Sequence, residues 1–249
     1  MDIGNVTDPL DDDGRPSEGL FDVLQWLPND VRTAFLRQVR VRRHDTGDVI
    51  YGQGDAGEEM FRLVSGSVRL SVARADGREL LYLLFKPGDC FGTSSCVDRE
   101  PRPQTAEAAS AVDVQVLSRA AFDRLRHDYR EFDDALLRLM TRHMRLLSGF
   151  FADAHLTTLS ARIASRIVAN SRSFGVPGEA GTGFSVHLSQ SDFALMVGAS
   201  RQSVNKVLQR FQEDGLIVIE YGALVVRDLD RLQLRAAAPL TSAQSLSRG

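Results

Sequence analysis

Short apolar runs separated by glycines fill the first half of the chain, from Val41 to Leu117. Such runs, with turn residues between them, are typical of an antiparallel β-barrel or sandwich. Apolar and polar residues alternate on both sides of Asp76-Gly77, which predicts a hairpin with one buried face. The alternating apolar residues of this hairpin are Val68, Leu70, Val72, Leu80, Tyr82 and Leu84.

A helical periodicity replaces this pattern from Phe122 to Thr157. One apolar seam follows alternating three and four spacing, as in a coiled coil, and a second stripe lies beside it. The seam is Leu136, Leu139, His143, Leu146 and Phe150, and the stripe is Leu137, Met140, Met144, Leu147 and Phe151. Because two apolar faces need two partners, we expect the β domain to cover one and a second subunit to cover the other. We assign dimerisation to the seam, although a monomer with one wide core-facing surface fits the same spacing.

A short capped helix, a glycine turn and a second capped helix are predicted in consecutive order near the C-terminal end. Ser189 and Asp192 are spaced to cap the first helix. Gly198 is placed to end it in the left-handed conformation, and Ser200 to cap the second helix. This order predicts a helix-turn-helix.

The second of these helices has two chemically different faces. Its apolar face is Val204, Val207, Leu208 and Phe211. Its other face holds no acidic residue before Glu213 and carries side chains that hydrogen-bond to phosphates and base edges. We assign DNA binding to Ser200, Arg201, Gln202, Ser203, Asn205, Lys206 and Gln209. A solvated surface helix in a small helical domain is the alternative.

An apolar run from Leu216 to Glu220, a Tyr221-Gly222 turn and the run Leu224–Val226 predict a hairpin wing. With this wing, the segment resembles the C-terminal DNA-binding domain of the CRP/FNR family of bacterial transcription regulators. IYGQGD at 50–55, LVSGSVRL at 63–70 and FKPGDCFG at 85–92 are similar to the family's cyclic nucleotide-binding β-roll. The resemblance implies an α+β fold with an N-terminal antiparallel β-roll, a long dimerisation helix and a C-terminal winged helix-turn-helix.

The segment after Phe91-Gly92 departs from the family at the positions that hold the cyclic nucleotide. Thr93 stands where the family has the Glu that binds the ribose, and Pro103 stands where it has the Ser that binds the phosphate. Arg102 aligns with the family's phosphate-binding Arg, and Ser148 lies near its base-contacting position. Thr93, Arg102 and Ser148 are therefore the candidate effector residues. Because Thr93 and Pro103 lack the charged acceptor and the donors of the family residues, we expect no ordinary cyclic AMP binding.

Composition and charge narrow the classes of protein. The formal net charge of the 249 residues is -3, so affinity for nucleic acid has to come from a local patch. Two cysteines, Cys90 and Cys96, are too few for a four-thiolate zinc site or an FNR-like iron-sulfur cluster. Redox pairing of these cysteines, and haem ligation by His127, His143 or His155, stay open without a supporting motif. We expect no metal and no cofactor, and the sequence does not identify the effector.

The chain carries no motif of a catalytic site, so an enzyme is a weakly supported alternative. Gly52–Gly57 matches a dinucleotide-binding fingerprint, but a β-run from Glu59 follows it instead of a helix, which favours a turn. The chain has no apolar run long enough to cross a membrane and no signal peptide. We therefore expect a cytoplasmic protein without a membrane partner.

These observations predict a homodimeric transcription regulator that binds a pseudo-palindromic DNA operator, with RNA polymerase as a further candidate partner. The alternative is a ligand-sensing protein whose helix-turn-helix binds a protein. The predicted parts are a disordered acidic tail (1–18), an effector-sensing β-roll (19–130), a dimerisation helix (131–158), a winged helix-turn-helix (159–235) and a flexible tail (236–249).

Overall fold

The glycine-punctuated region between residues 40 and 118 folds into antiparallel strands in the computed structural model. The structure describes residues 20–174, 176–177, 184–186, 190–220 and 223–237. The predicted acidic tail and residues 238–249 lie outside the described residues. The chain divides into two units, Met1–Leu146 and Leu147–Gly249.

Two four-stranded sheets form the β region of the first unit. Its strands are β1 (Arg40–His44), β2 (Val49–Tyr51), β3 (Glu59–Ser65), β4 (Val68–Ala73), β5 (Glu79–Phe85), β6 (Cys90–Phe91), β7 (Thr105–Ala108) and β8 (Val112–Ser118). One sheet has the order β1-β8-β3-β6 and the other β2-β7-β4-β5. All of their pairings are antiparallel. The sequence prediction of an antiparallel β domain is confirmed.

Aromatic rings from both sheets meet in the core of this unit. Tyr51 of one sheet lies 5.7 Å from Phe61 of the other, measured between ring centroids. Phe85 and Phe91 make a second contact of this kind at 5.6 Å. Since all four side chains are buried, the two sheets enclose a shared aromatic core.

The hairpin of β4 and β5 differs from its predicted face pattern. Val68 and Leu70 are buried opposite Phe85 and Leu83, as alternation predicts for β4. A register shift between Leu70 and Ser71 then changes the pairing, and the buried face of β5 consists of Leu81, Leu83 and Phe85. Leu80 is 42% exposed, so the predicted buried set of Leu80, Tyr82 and Leu84 is wrong. A β-bulge of this kind moves side chains to the opposite face, and periodicity alone does not reveal it.

The helices of the first unit surround this core. A 3-10 turn (Val23–Trp26), α1 (Asn29–Gln38), α2 (Thr93–Asp98) and α3 (Arg119–Asp128) precede the long α4 (Arg130–Leu156). Ser118 caps α3 by accepting a hydrogen bond from the Ala121 amide. Tyr129 is extended and separates α3 from α4, so the helical periodicity that begins near Phe122 belongs to two helices.

The second unit contains the remaining helices and a third sheet. Its elements are α5 (Leu159–Phe174), β9 (Val176–Pro177), β10 (Phe184–Val186), α6 (Gln190–Val197), α7 (Arg201–Glu213), β11 (Ile217–Glu220), β12 (Ala223–Val226) and α8 (Leu229–Ala236). The sheet order is β11-β12-β10-β9. The helix α8 packs on α5, and sequence reasoning did not predict it. The C-terminal hairpin is confirmed, although its Tyr221-Gly222 turn lies outside the described residues.

Candidate nucleic-acid interface and effector pocket

The turn between α6 and α7 has the geometry that the sequence predicts. Gly198 has φ +63°, the left-handed conformation that ends α6 without a Cβ penalty. Ser200 caps α7 by accepting a hydrogen bond from the Ser203 amide at 3.1 Å. The first predicted cap, Ser189, lies outside the described residues.

The apolar stripe of α7 holds this helix in the second unit. Its members Val204, Val207, Leu208 and Phe211 are all buried. The helix therefore has a fixed rotation about its axis, and the residues on its opposite side are directed to solvent.

Four of the predicted DNA-binding residues lie on that exposed side: Arg201, Gln202, Lys206 and Gln209. Asn205 is half-buried, and its Oδ1 is shielded from solvent without a hydrogen-bond partner among the residues that the structure describes. Asn205 is thus less available to a ligand than its neighbours. The exposed Arg210, four residues after Lys206, extends the cationic edge of the same helix. The i, i+4 spacing in the sequence was sufficient to identify Arg210, which the assignment of DNA-binding residues omitted.

Ser200 and Ser203 have a different role from the other predicted contacts. Their hydroxyl oxygens lie 2.9 Å apart and hydrogen-bond to each other, in addition to the cap. Both hydroxyls stabilise the first turn of α7, which places Arg201 and Gln202 at the start of the exposed face.

The wing is attached to α7 by one side chain. The Oε1 of Gln212 accepts a hydrogen bond from the Ile219 amide at 3.0 Å. At the same end of the helix, Arg235 of α8 lies 2.9 Å from Asp214 in an ion pair. These two contacts fix β11 and α8 relative to the C-terminal end of α7.

The two apolar stripes of α4 have different surroundings. Leu136 and Leu139 of the seam are buried in the chain's own first unit. His143 stacks on Phe21 with 4.1 Å between ring centroids, and burial lowers the pKa of His143 to about 4. The second stripe is the exposed one: Leu137, Met144 and Phe151 are each at least 65% exposed, Leu147 is 37% exposed and Met140 is half-buried. Three-and-four spacing marks both stripes alike, so it did not indicate which one the β domain covers.

Phe150, the last residue of the predicted seam, belongs to a corner between α4 and α5 within the second unit. The Arg166 guanidinium carbon lies 3.3 Å from the centroid of the Phe150 ring. Burial lowers the pKa of Arg166 to about 10. Ser165 donates a hydrogen bond to Asp153, and Arg162 donates to the carbonyl of Thr157. These contacts connect the last turns of α4 to α5. Leu146 is half-buried at the end of the first unit.

Arg102 of the predicted effector pocket is directed into the first unit. It is 3% exposed, and its guanidinium donates hydrogen bonds to the backbone carbonyls of Gly92 and Glu59, each at 2.5 Å. The guanidinium also lies 4.4 Å above the Tyr51 ring, and burial raises the pKa of the Tyr51 hydroxyl. Thr93 follows Gly92 at the start of α2, so the structure brings Thr93 and Arg102 together. Ser148 is exposed on α4, in the other unit.

Two family models match the chain. Residues 41–129 match the cyclic nucleotide-binding domain, and residues 161–235 match the Crp-like helix-turn-helix domain. The transcriptional regulator LdrP of Thermus thermophilus is 30% identical over 82% of this chain and all of its own. The chain belongs to the CRP/FNR family of transcription regulators.

Further known proteins are similar over comparable lengths. The CRP-like cAMP-activated global transcriptional regulator of Mycobacterium tuberculosis is 28% identical over 86% of this chain and 96% of its own. A CRP-family regulator structure from Thermus thermophilus, TTHB099, is 27% identical, with a TM-score of 0.68 over 81% of this chain and 99% of its own. FixK2 from Bradyrhizobium japonicum shares the fold at 21% identity, with a TM-score of 0.71 over 80% and 98% of the two chains. The predicted α+β fold class of this family is confirmed.

The residues that the resemblance assigns to nucleotide binding have other surroundings or chemistry in this chain. Thr93 is 3% exposed, carries no carboxylate, and has its Oγ1 buried without a hydrogen-bond partner among the described residues. Pro103 has no N–H to donate. The Nη1 and Nη2 groups of Arg102 donate to backbone carbonyls, and its Nε is buried without a partner in the described part of the chain.

The search for a membrane-spanning segment covered only the residues that the structure describes. None of their helices combines the length and the apolar character needed to span a bilayer.

Proposed function

We propose that this CRP/FNR protein is a homodimeric, sequence-specific DNA-binding regulator that does not respond to cyclic AMP through the usual pocket. We also retain the division into a β-roll domain (19–130), a dimerisation helix (131–158) and a winged helix-turn-helix domain (159–235) as part of this proposal.

The exposed face of α7 carries the DNA-binding part of the proposal. Arg201 and Lys206 have the donors that suit guanine O6 and N7, and Gln202 suits adenine N6 and N7. Gln202 stands where the family commonly has Glu, so we expect a shift away from a cytosine-containing contact. Ser200 and Ser203 position these residues by capping the helix. Asn205 and Gln209 complete the proposed set, with Asn205 in a secondary role because of its burial.

The exposed stripe of α4 supports the dimer. Leu137, Met144, Leu147 and Phe151 form an apolar face at helical spacing that the described residues leave exposed. A second copy of the same helix would cover this face. We therefore assign the subunit contact to this stripe and not to Leu136, Leu139 and His143. Two-fold symmetry then places the DNA half-sites about one helical turn, roughly 34 Å, apart.

The test is selection of binding sites from a random duplex library by the purified protein without effector, at fixed salt, followed by sequencing. We expect an enriched palindrome with half-sites one helical turn apart. The control is the variant with Arg201 and Lys206 both replaced by alanine, which keeps the buried stripe of α7 and should enrich nothing.

Other outcomes divide the alternatives. Weak binding that depends on salt, without enrichment, would contradict activity without effector. An enriched single half-site would contradict the dimer. The absence of DNA binding at any salt concentration would contradict the regulator itself and would favour a helix-turn-helix that binds a protein.

A further inference from the structure

Arg102 joins three parts of the sensor domain that are distant in sequence. Its guanidinium donates to the carbonyl of Gly92, before α2, and to that of Glu59, at the start of β3. Its own backbone pairs with the loop between β2 and β3, since the Gly54 amide donates to the Arg102 carbonyl and the Arg102 amide donates to Asp55. Arg102 thus contacts the loop through its backbone, and the start of β3 through its side chain.

A second arginine makes a parallel connection. Arg119 donates from one Nη2 to the carbonyls of Gly57 and Ser95, and its Nε lies 3.3 Å from the Glu58 carboxylate. Gly57 and Ser95 are so close that a Cβ added to Gly57 would lie 2.0 Å from the Ser95 Cβ. The loop therefore lies directly against α2, and both arginines hold it there.

We propose that Arg102 and Arg119 form an internal clasp that holds residues 54–59 against Gly92–Ser95, so that the sensor domain is closed without an anionic effector. A phosphate can bind the Nη groups of Arg102 only if it displaces the Gly92 and Glu59 carbonyls and moves the guanidinium away from the Tyr51 ring. Independence of DNA binding from such an effector rests on the proposed function, whereas the clasp itself does not.

The clasp predicts where backbone amides are protected from hydrogen exchange. In the full-length protein, peptides covering 52–60 should exchange slowly, and millimolar cyclic AMP or inorganic phosphate should change neither their exchange nor the heat of titration. In Arg102→Met, the Gly92 and Glu59 carbonyls lose their donors, so exchange over 52–60 should accelerate at least tenfold. The melting temperature should fall by roughly 5–10 °C. Arg78→Met is the matched control, because Arg78 is exposed and pairs only locally with Asp76.

A second variant keeps the test decisive where Arg102→Met does not fold. Arg102→Lys retains the charge but replaces the two-pronged guanidinium with a single ammonium, so we expect exchange between that of the wild type and Arg102→Met. The clasp is refuted if cyclic AMP or phosphate binds the wild type and alters exchange over 52–60. Unchanged exchange in folded Arg102→Met or Arg102→Lys would also overturn it. Failure of the wild type to bind DNA would contradict the proposed function and leave these exchange measurements unaffected.

Discussion

The two units of this chain use arginine in opposite ways. Arg201, at the start of α7, is exposed and directed away from the buried stripe of its helix. Arg102, which the sequence predicts to bind the effector, is buried, and backbone carbonyls accept hydrogen bonds from its Nη1 and Nη2. The comparison shows that the residue at a motif position does not by itself define a binding site. The groups around it decide whether its donors remain available to a ligand.

The largest effect on DNA affinity is expected from substitutions in α4, which has one face buried in the chain and one face exposed. Replacing Met144 and Phe151 together by glutamine should separate the subunits and lower operator affinity by about 10²–10⁴-fold, because each half-site then binds alone. Light scattering and DNA titration measure the two effects. Arg138→Gln with Arg145→Gln adds the same number of glutamines elsewhere on the helix and should remain dimeric. A glutamine variant of the stripe that stays dimeric would show that the subunit contact lies elsewhere.

Alanine substitution of one glycine in each unit compares how tightly the two units pack around these positions. Gly57→Ala should destabilise the protein by about 3 kcal/mol, since the new Cβ collides with Ser95. Gly198→Ala should cost only about 1 kcal/mol, because no other part of the described structure lies within 4 Å of the added Cβ and the penalty comes from the positive φ. Chemical denaturation measures both. Equal costs would mean that the loop moves away from α2 freely.

Acid should affect the sensor unit through His143. Its pKa of about 4 in the folded chain lies below the ordinary 6.5, so the unfolded chain takes up the proton first. The stability that neutral His143 contributes above pH 6.5 is therefore lost as the pH falls toward 4, by on the order of 2–3 kcal/mol. His143→Phe keeps a ring on Phe21 and should remove this contribution, so its denaturation curve measured against pH should rise relative to that of the wild type between pH 6.5 and 4. His127→Phe, at an exposed position of α3, should follow the wild-type curve.

Asp89 adds a second prediction to the same experiment, because its protonation changes the free energy of unfolding in the opposite direction. Burial raises its pKa to about 6, so the folded chain takes up this proton before the unfolded chain does. Without His143, the protein should become more stable as the pH falls from about 6 to 4. Parallel curves for the wild type and His143→Phe would contradict the assignment to His143.

The smallest effect concerns a single base contact in the DNA-binding unit. Arg201→Ala should weaken binding to the selected site by roughly 1–3 kcal/mol and weaken random duplex binding much less. Its melting temperature should equal that of the wild type, the reverse of the pattern expected for Arg102. Equal losses on both DNAs would assign Arg201 to phosphate contact instead of base reading.

Local signals predicted the second unit better than the first. Caps and turns are encoded by neighbouring residues, so Ser200 and Gly198 could be placed from the sequence. The bulge in β4 and the direction of Arg102 depend on contacts with distant segments, which spacing does not encode. The choice between the stripes of α4 depends on distant contacts too, since Leu136 and Leu137 belong to stripes of equal apolar character and only tertiary packing distinguishes them.

The contact between Phe150 and Arg166 suits the second unit for transfer to another protein. The final turns of α4 contact α5, and α5 packs on α6 and α7, so these elements form one packed group. A rotation of α4 would then turn α5, α6 and α7 together instead of bending the chain at Thr157-Thr158. A chimera that continues the helix from residue 147 into an unrelated dimeric helix should therefore carry the DNA specificity of this chain under a different input.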